Sequence, residues 1–182
     1  KKWDELIAAK NRKVVAIAGN DAHANVGFQV GDRTGKRLIG VHLDPYERTF
    51  SVVRNHVLIE KEKPLTSETL LAALASGHCY IAFDLFGDST GFTFSAENSQ
   101  GRKIMGDEIE LLDGVRLIIT TPVQSRVLLI KDGQVIRDED GASRKEFPIA
   151  ERGVYRVEVY LTQLGSLVKD KPWIISNPIY IR

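Results

Sequence analysis

The stretch Val154-Tyr-Arg-Val-Glu-Val-Tyr-Leu161 alternates with a period of two. Tyr155, Val157, Val159 and Leu161 fall on one face, opposite Arg156 and Glu158. Successive side chains of a strand point to opposite faces, so this pattern predicts a strand with one buried and one wet side, the signature of an antiparallel sheet. Working outward, short apolar runs separated by turn signals recur at 91–95, 115–121, 126–131, 134–137 and 173–182. Lys131-Asp-Gly-Gln134 reads as a hairpin turn, since Asp and Gly tolerate the positive φ such turns demand. Pro178 splits the last run and predicts an edge position or a bulge, because proline donates no ladder hydrogen bond. Residues 87–182 are therefore expected to form an antiparallel β-sandwich-like domain.

Upstream of Gly87 the pattern differs. A short opening helix would bury Trp3, Leu6 and Ile7, and the apolar run Val14-Val-Ala-Ile-Ala18 reads as a central strand. Residues 25–36 carry Gly27, Gly31 and Gly35 and read as a loop, or a substrate-facing lid, without the spacing of a phosphate-wrapping loop. A strand is expected at 37–41. In 45–59, Tyr46, Phe50 and Val53 have helical spacing whereas residues 49–53 are rich in strand formers, and local preference leaves both open. A clearer helix follows Pro64, capped by Thr66 or Ser67, with Leu70, Leu71, Leu74 and Ala75 on one side and Gly77 as its stop. The next run, 78–83, reads as a strand. The boundary between the two halves is expected near 84–89.

The chain has 182 residues, of which 43% are hydrophobic and 27% charged. That is long enough for one sizeable core or two small domains, and no apolar stretch approaches the roughly 20 residues of a membrane span. A soluble, cytoplasmic protein is expected. The formal charge of +1 gives no broad field to attract nucleic acid or an acidic membrane surface. A single cysteine, Cys79, cannot form an internal disulfide and reads as a small core residue. The first residue is not Met, and a helix leading into a strand resembles an entry midway through a longer α/β pattern.

The chemistry-bearing residues concentrate in the first half. Asp21 and His23 leave the apolar run at i,i+2, pointing the same way if Ala22 is extended, with the carboxylate and imidazole donors that Zn²⁺, Mn²⁺ or Fe accept. Two ligands are too few for a catalytic site. His42 and Asp44 repeat the spacing in reverse, His56 and Arg54 flank an apolar run, and His78 follows the helix stop. Asp107, Glu108, Glu110 and Asp113 lack the order of a calcium loop and read as a solvated sheet edge. Ser166 lies outside any Gly-x-Ser-x-Gly pattern. Tyr155, Tyr160 and Trp173 read as packing rather than base-stacking residues.

Ala18-Gly-Asn-Asp-Ala-His23, followed by Val53-Arg-Asn-His-Val57 and Ala75-Ser-Gly-His-Cys-Tyr-Ile-Ala-Phe-Asp84, resembles the closing part of PHP-domain metal-dependent phosphoesterases. That family includes histidinol phosphatases and polymerase-associated nucleases. The resemblance implies that residues 1–86 are the C-terminal portion of an α/β domain, the end of a distorted (β/α)₇ barrel, and that Asp21 and His23 are metal ligands. It implies a divalent metal in the intact protein, a phosphate-ester substrate, and substrate or metal contacts from Arg54 and His56. No His-x-His occurs in the chain, so the family's earlier ligands belong to a missing N-terminal barrel portion. A fragment inactive by itself is expected, with exposed apolar barrel strands that a homo-oligomer would cover. Two alternatives stay open: a protein- or carbohydrate-binding module with a structural Asp-x-His, and an independent site assembled from Asp21, His23, His42 and His56.

Overall fold

Alternation in the 154–161 stretch is realised as the central strand of a sheet. The computed structural model describes residues 2–10, 13–21, 27–31, 37–42, 46–112, 114–165 and 168–182. Helix α1 (Lys2–Lys10) is followed by a separate antiparallel pair, β1 (Gly27–Gly31) and β2 (Arg37–His42). Next come α2 (Tyr46–Thr49), β3 (Arg54–Val57), α3 (Ser67–Ser76) and β4 (Cys79–Ala82). The remaining strands are β5 (Thr93–Asn98), β6 (Gly101–Ile104), β7 (Glu108–Ile109), β8 (Arg116–Thr120), β9 (Arg126–Lys131), β10 (Gln134–Glu139), β11 (Arg144–Pro148), β12 (Gly153–Tyr160), β13 (Ile174–Ser176) and β14 (Ile179–Ile181). One sheet runs β10-β9-β12-β13-β4-β3, with β14 on β12 and β7 on β14, and the other runs β11-β8-β5-β6. Among the described strands only β14 with β7 is parallel.

The two sheets enclose one core. Val157, Val159, Leu129, Tyr80, Ala82 and Ile174 of the first sheet join Phe94, Ala96, Leu117, Ile119 and Phe147 of the second in a single buried cluster. The β-rich, antiparallel expectation holds. Asp132 and Gly133 make the β9–β10 hairpin at φ 49° and 85°. Gly133 has a second reason to be glycine, because a Cβ there would lie 2.8 Å from the Cβ of Asp4 in α1. The Pro178 break is real: β13 and β14 both pair with β12, at 158–159 and 153–155, and Asn177-Pro178 interrupts the ladder between them. There the Val157 N–H donates to the Ser176 hydroxyl at 2.9 Å instead of to a strand carbonyl.

Residues 46–86 are not the end of a (β/α)₇ barrel. A barrel unit returns its next strand parallel to the last, whereas β4 comes back from α3 antiparallel to β3, with Asn55 opposite Ile81 and Val57 opposite Cys79. β4 then pairs with β13, so the sheet continues across the expected boundary at 86/87. Helix α3 itself follows the sequence signals: Thr66 accepts from the Thr69 N–H, Thr69 reciprocates on the Thr66 N–H, and Gly77 closes the helix at φ 78°. Its expected core face is different. Ala73 is buried, while Leu70 and Leu71 are 37% and 64% exposed. The ambiguous 45–59 stretch uses both of its periods in succession, as α2 and then β3. The passage read as a loop contains β1.

Candidate functional site

The run carrying the Asp-x-His motif is not a sheet strand; residues 13–21 are held instead by asparagine side chains. Asn177 accepts from the Ala16 N–H at 2.8 Å and donates to the Ala16 carbonyl at 3.0 Å. Two residues on, Asn55 does the same for Ala18, accepting from its N–H and donating to its carbonyl, both at 2.8 Å. Each amide copies the donor–acceptor pair of a strand neighbour, so alternate backbone units find partners without a ladder. Asn20 then donates to the Val53 carbonyl at 3.2 Å. The matches Ala18 with Asn55 and Asn20 with Val53 run the segment antiparallel to β3. Trp3 closes the other end, donating its indole N–H to the Val14 carbonyl at 3.0 Å.

This places Asp21 exposed, in the left-handed region at φ 49°, at the end of a pinned segment. His23 and Asp44 lie outside the described residues, as do Asp113 and Ser166; His42 ends β2. No group of three or more metal-ligating side chains occurs among the described residues. The register of β3 on β4 puts Asn55 and Cys79 on the outer face and His56 and Tyr80 on the inner. Asn55 carries the segment that leads to Asp21, so His56 belongs to the opposite face.

Arg54 and His56 meet on a residue that sequence reading did not single out, Asp84. The His56 Nε2–H donates to both carboxylate oxygens of Asp84, at 3.1 and 3.0 Å, and Arg54 donates to one of them at 3.3 Å. The imidazole lies flat on Tyr80, 4.7 Å between ring centroids. Ser89, fully buried, also approaches both, 3.2 Å from His56 Nε2 and 3.2 Å from Asp84. The residue types are those of a hydrolase triad, but the geometry is not. In a triad the carboxylate and the hydroxyl use opposite imidazole nitrogens, so that the ring can take the serine proton. Here both sit on Nε2, whose proton is committed to Asp84, and Ser89 has no base. The arrangement is an inward-facing anchor whose outer end is Arg54, with its side chain 56% exposed. The only sequence signal for it was the unassigned Asp84 at the end of a strand.

A second polar pair lies elsewhere. His78 Nε2 donates to Asp107 at 2.8 Å, and the other oxygen of Asp107 accepts from the Ile104 N–H at 3.0 Å. Asp107 was expected to be a solvated edge residue. The pair borders an open cleft of about 550 Å³ between α3, residues 58–63 and the turn after β6. Gly106 makes that turn possible: at φ 93° it presses on the end of α3, where a Cβ would stand 2.2 Å from the Ser76 carbonyl oxygen.

The other sequence expectations sort plainly. Cys79 is buried, and burial pushes its thiol above the ordinary value, although a hydrogen bond from Asn177 works the other way. Trp173 and Tyr155 are core, and burial raises the Tyr155 hydroxyl to about 12. No helix among the described residues is long and apolar enough to cross a membrane. Comparison of the chain with protein-family models, curated proteins and solved structures finds no match.

Proposed function

We propose that this chain carries part of the site of a metal-dependent phosphoesterase, of the kind its Gly-Asn-Asp-Ala-His sequence resembles, with Asp21 and His23 as ligands of Zn²⁺, Mn²⁺ or Fe. The observation that carries the reading is the pinning of residues 16–20 by Asn177, Asn55 and Val53. A polar loop with no task has no need of two asparagines drawn from positions 122 residues apart in sequence, whereas a ligand-bearing segment needs a fixed trajectory. The donor set suits such an ion: Asp21 is exposed, and a carboxylate with an imidazole is a borderline-soft pair. A bound divalent ion would supply a water of lowered pKa and neutralise phosphate oxygens. Arg54 and His56 lie on the other face of β3 from Asn55, where they form the Asp84 anchor, and they are given no part in this site. Two ligands do not complete a catalytic centre, so on this reading further donors are needed and the chain by itself is inactive.

The test is a calorimetric titration of the chain with Mn²⁺ and Zn²⁺, alongside a p-nitrophenyl phosphate assay. Weak binding that disappears in both Asp21→Ala and His23→Ala, persists in His78→Ala, and comes without hydrolysis is the expected result. Binding unchanged by either ligand substitution would overturn the assignment.

A further inference from the structure

The cleft beside α3 has no part in the reading above. Its walls are apolar at Leu58, Ile59, Ala72, Ala73 and Ile104, and its volume of about 550 Å³ lies in the range of small-molecule sites. The polar groups decide what it would accept. Asp107 takes the proton-bearing Nε2 of His78 at 2.8 Å. In a neutral imidazole with its proton on Nε2, the other nitrogen, Nδ1, is an acceptor. The Asp107 oxygens, each filled once by His78 or the Ile104 N–H, retain further lone pairs. The carboxylate of Asp107 is the charged group at this end of the cleft.

Charge points the same way. Glu60, Glu68 and Asp107 border the cleft against Lys63, and Lys63 is already paired with Glu60 at 2.8 Å. Glu68 is held ionised below its usual range by hydrogen bonds from its own backbone N–H and from Thr66. A carboxylate ligand would meet three carboxylates against one lysine ammonium, and an uncharged hydrocarbon would leave the acceptors facing an apolar group. We infer that the cleft is a binding site for a small organic amine, its ammonium group donating to Asp107 and His78 and its apolar body lying along Leu58, Ala72 and Ile104. The site is built into the fold: Gly106 and Gly77 bring the Asp107 turn against the end of α3, with the Gly106 Cα 3.2 Å from the position of a Cβ on residue 77.

Hexylammonium, hexanoate and hexanol share a body and differ in the head, so the three together test the inference. Titrated into ¹⁵N-labelled protein, hexylammonium is expected to bind saturably and shift the resonances of His78, Ala72 and Asp107. Hexanoate and hexanol should bind at least tenfold more weakly. Asp107→Asn should lose tenfold or more in hexylammonium affinity. Because that change also touches the β6 turn, Ala72→Phe provides a second variant that fills the cleft from the helix and leaves the His78–Asp107 pair untouched; it should abolish binding while keeping the thermal midpoint. Equal binding of hexanol or hexanoate, no saturable binding of hexylammonium, or full binding by Ala72→Phe would each overturn the assignment.

Discussion

Asn177 is 1% exposed and bonds three backbone groups, the Ala16 N–H and carbonyl and the Cys79 carbonyl at 2.8 Å, besides the Cys79 sulfur at 3.2 Å. Removing it leaves those groups without partners in a place water reaches poorly, and each such group costs about 1–3 kcal/mol. Asn177→Ala is expected to lower stability by about 2–4 kcal/mol, read from the urea midpoint. The near-isosteric Asn177→Asp should do no better, because it presents an acceptor to two carbonyl oxygens. An Asp variant as stable as the parent would show that the amide donors contribute nothing. None of this was legible in the sequence, where an Asn before Pro178 carries an ordinary turn signal and Asn55 sits in a strand-like run. Spacing along a chain does not say that two asparagines converge on one segment. Thr66, Asp132 and Gly133 act within a few residues of themselves, and for that reason local pattern located them.

Helix α1 shows how an element rests on a contact that no local pattern announces. Arg156, on the face of β12 that alternation marks as wet, is 7% exposed because α1 covers it. Its guanidinium bonds Asp4 at 2.7 and 3.1 Å and Glu158 at 2.7 Å, and stacks 5.1 Å from the centre of the Trp3 ring. Burial alone would raise the Asp4 carboxyl, but the hydrogen bonds and charge of Arg156 outweigh it and hold the pKa below 3.8. The sign follows: a depressed carboxyl stabilises fully above its unfolded value and loses that contribution as pH falls through the lower folded value. Docking of α1 should therefore be intact at neutral pH, begin to weaken below about pH 4 and be lost as pH falls through the lower folded value, seen as Trp3 fluorescence moving toward that of exposed tryptophan. Asp4→Asn should bring the same change at neutral pH and cost about 2–3 kcal/mol, less than a fully orphaned buried ion because Glu158 remains. An Asp4→Asn variant with parental fluorescence and acid profile would remove the ion pair from the account of docking. Helix α3 is the converse case, since its caps were legible and its packing was not. An amphipathic count assigns Leu70 and Leu71 to a core face, but only tertiary structure says whether a partner is there, and among the described residues the helix buries Ala73.

At the scale of the molecule, the change in sequence texture near 84–89 is real, but it marks a change of connection within a shared sheet. β3 and β4 precede it, and β13, the neighbour of β4, lies more than 80 residues later. Tyr80 and Ala82 belong to the same buried cluster as Val157, Leu117 and Phe147. The Phe83 N–H donates to the Trp173 carbonyl at 2.8 Å, and the Trp173 indole donates to the Gly87 carbonyl at 2.9 Å, so the crossing point is itself stitched to β13. Separating the chain at 86/87 would expose the edge of β13 and uncover Ile174 and Trp173. Losing the burial of Tyr80 alone amounts to about 1.5–3 kcal/mol, and with the β4 ladder the deficit approaches the roughly 5–15 kcal/mol that holds a domain folded. A polypeptide of residues 87–182 is accordingly expected to lack the near-ultraviolet dichroism of the full chain and to associate through its open edge, whereas residues 46–182 should unfold in one cooperative urea transition. If 87–182 gave a sharp transition at the midpoint of the whole chain, β3 and β4 would be an appendage, and the boundary drawn from composition would be a domain boundary after all.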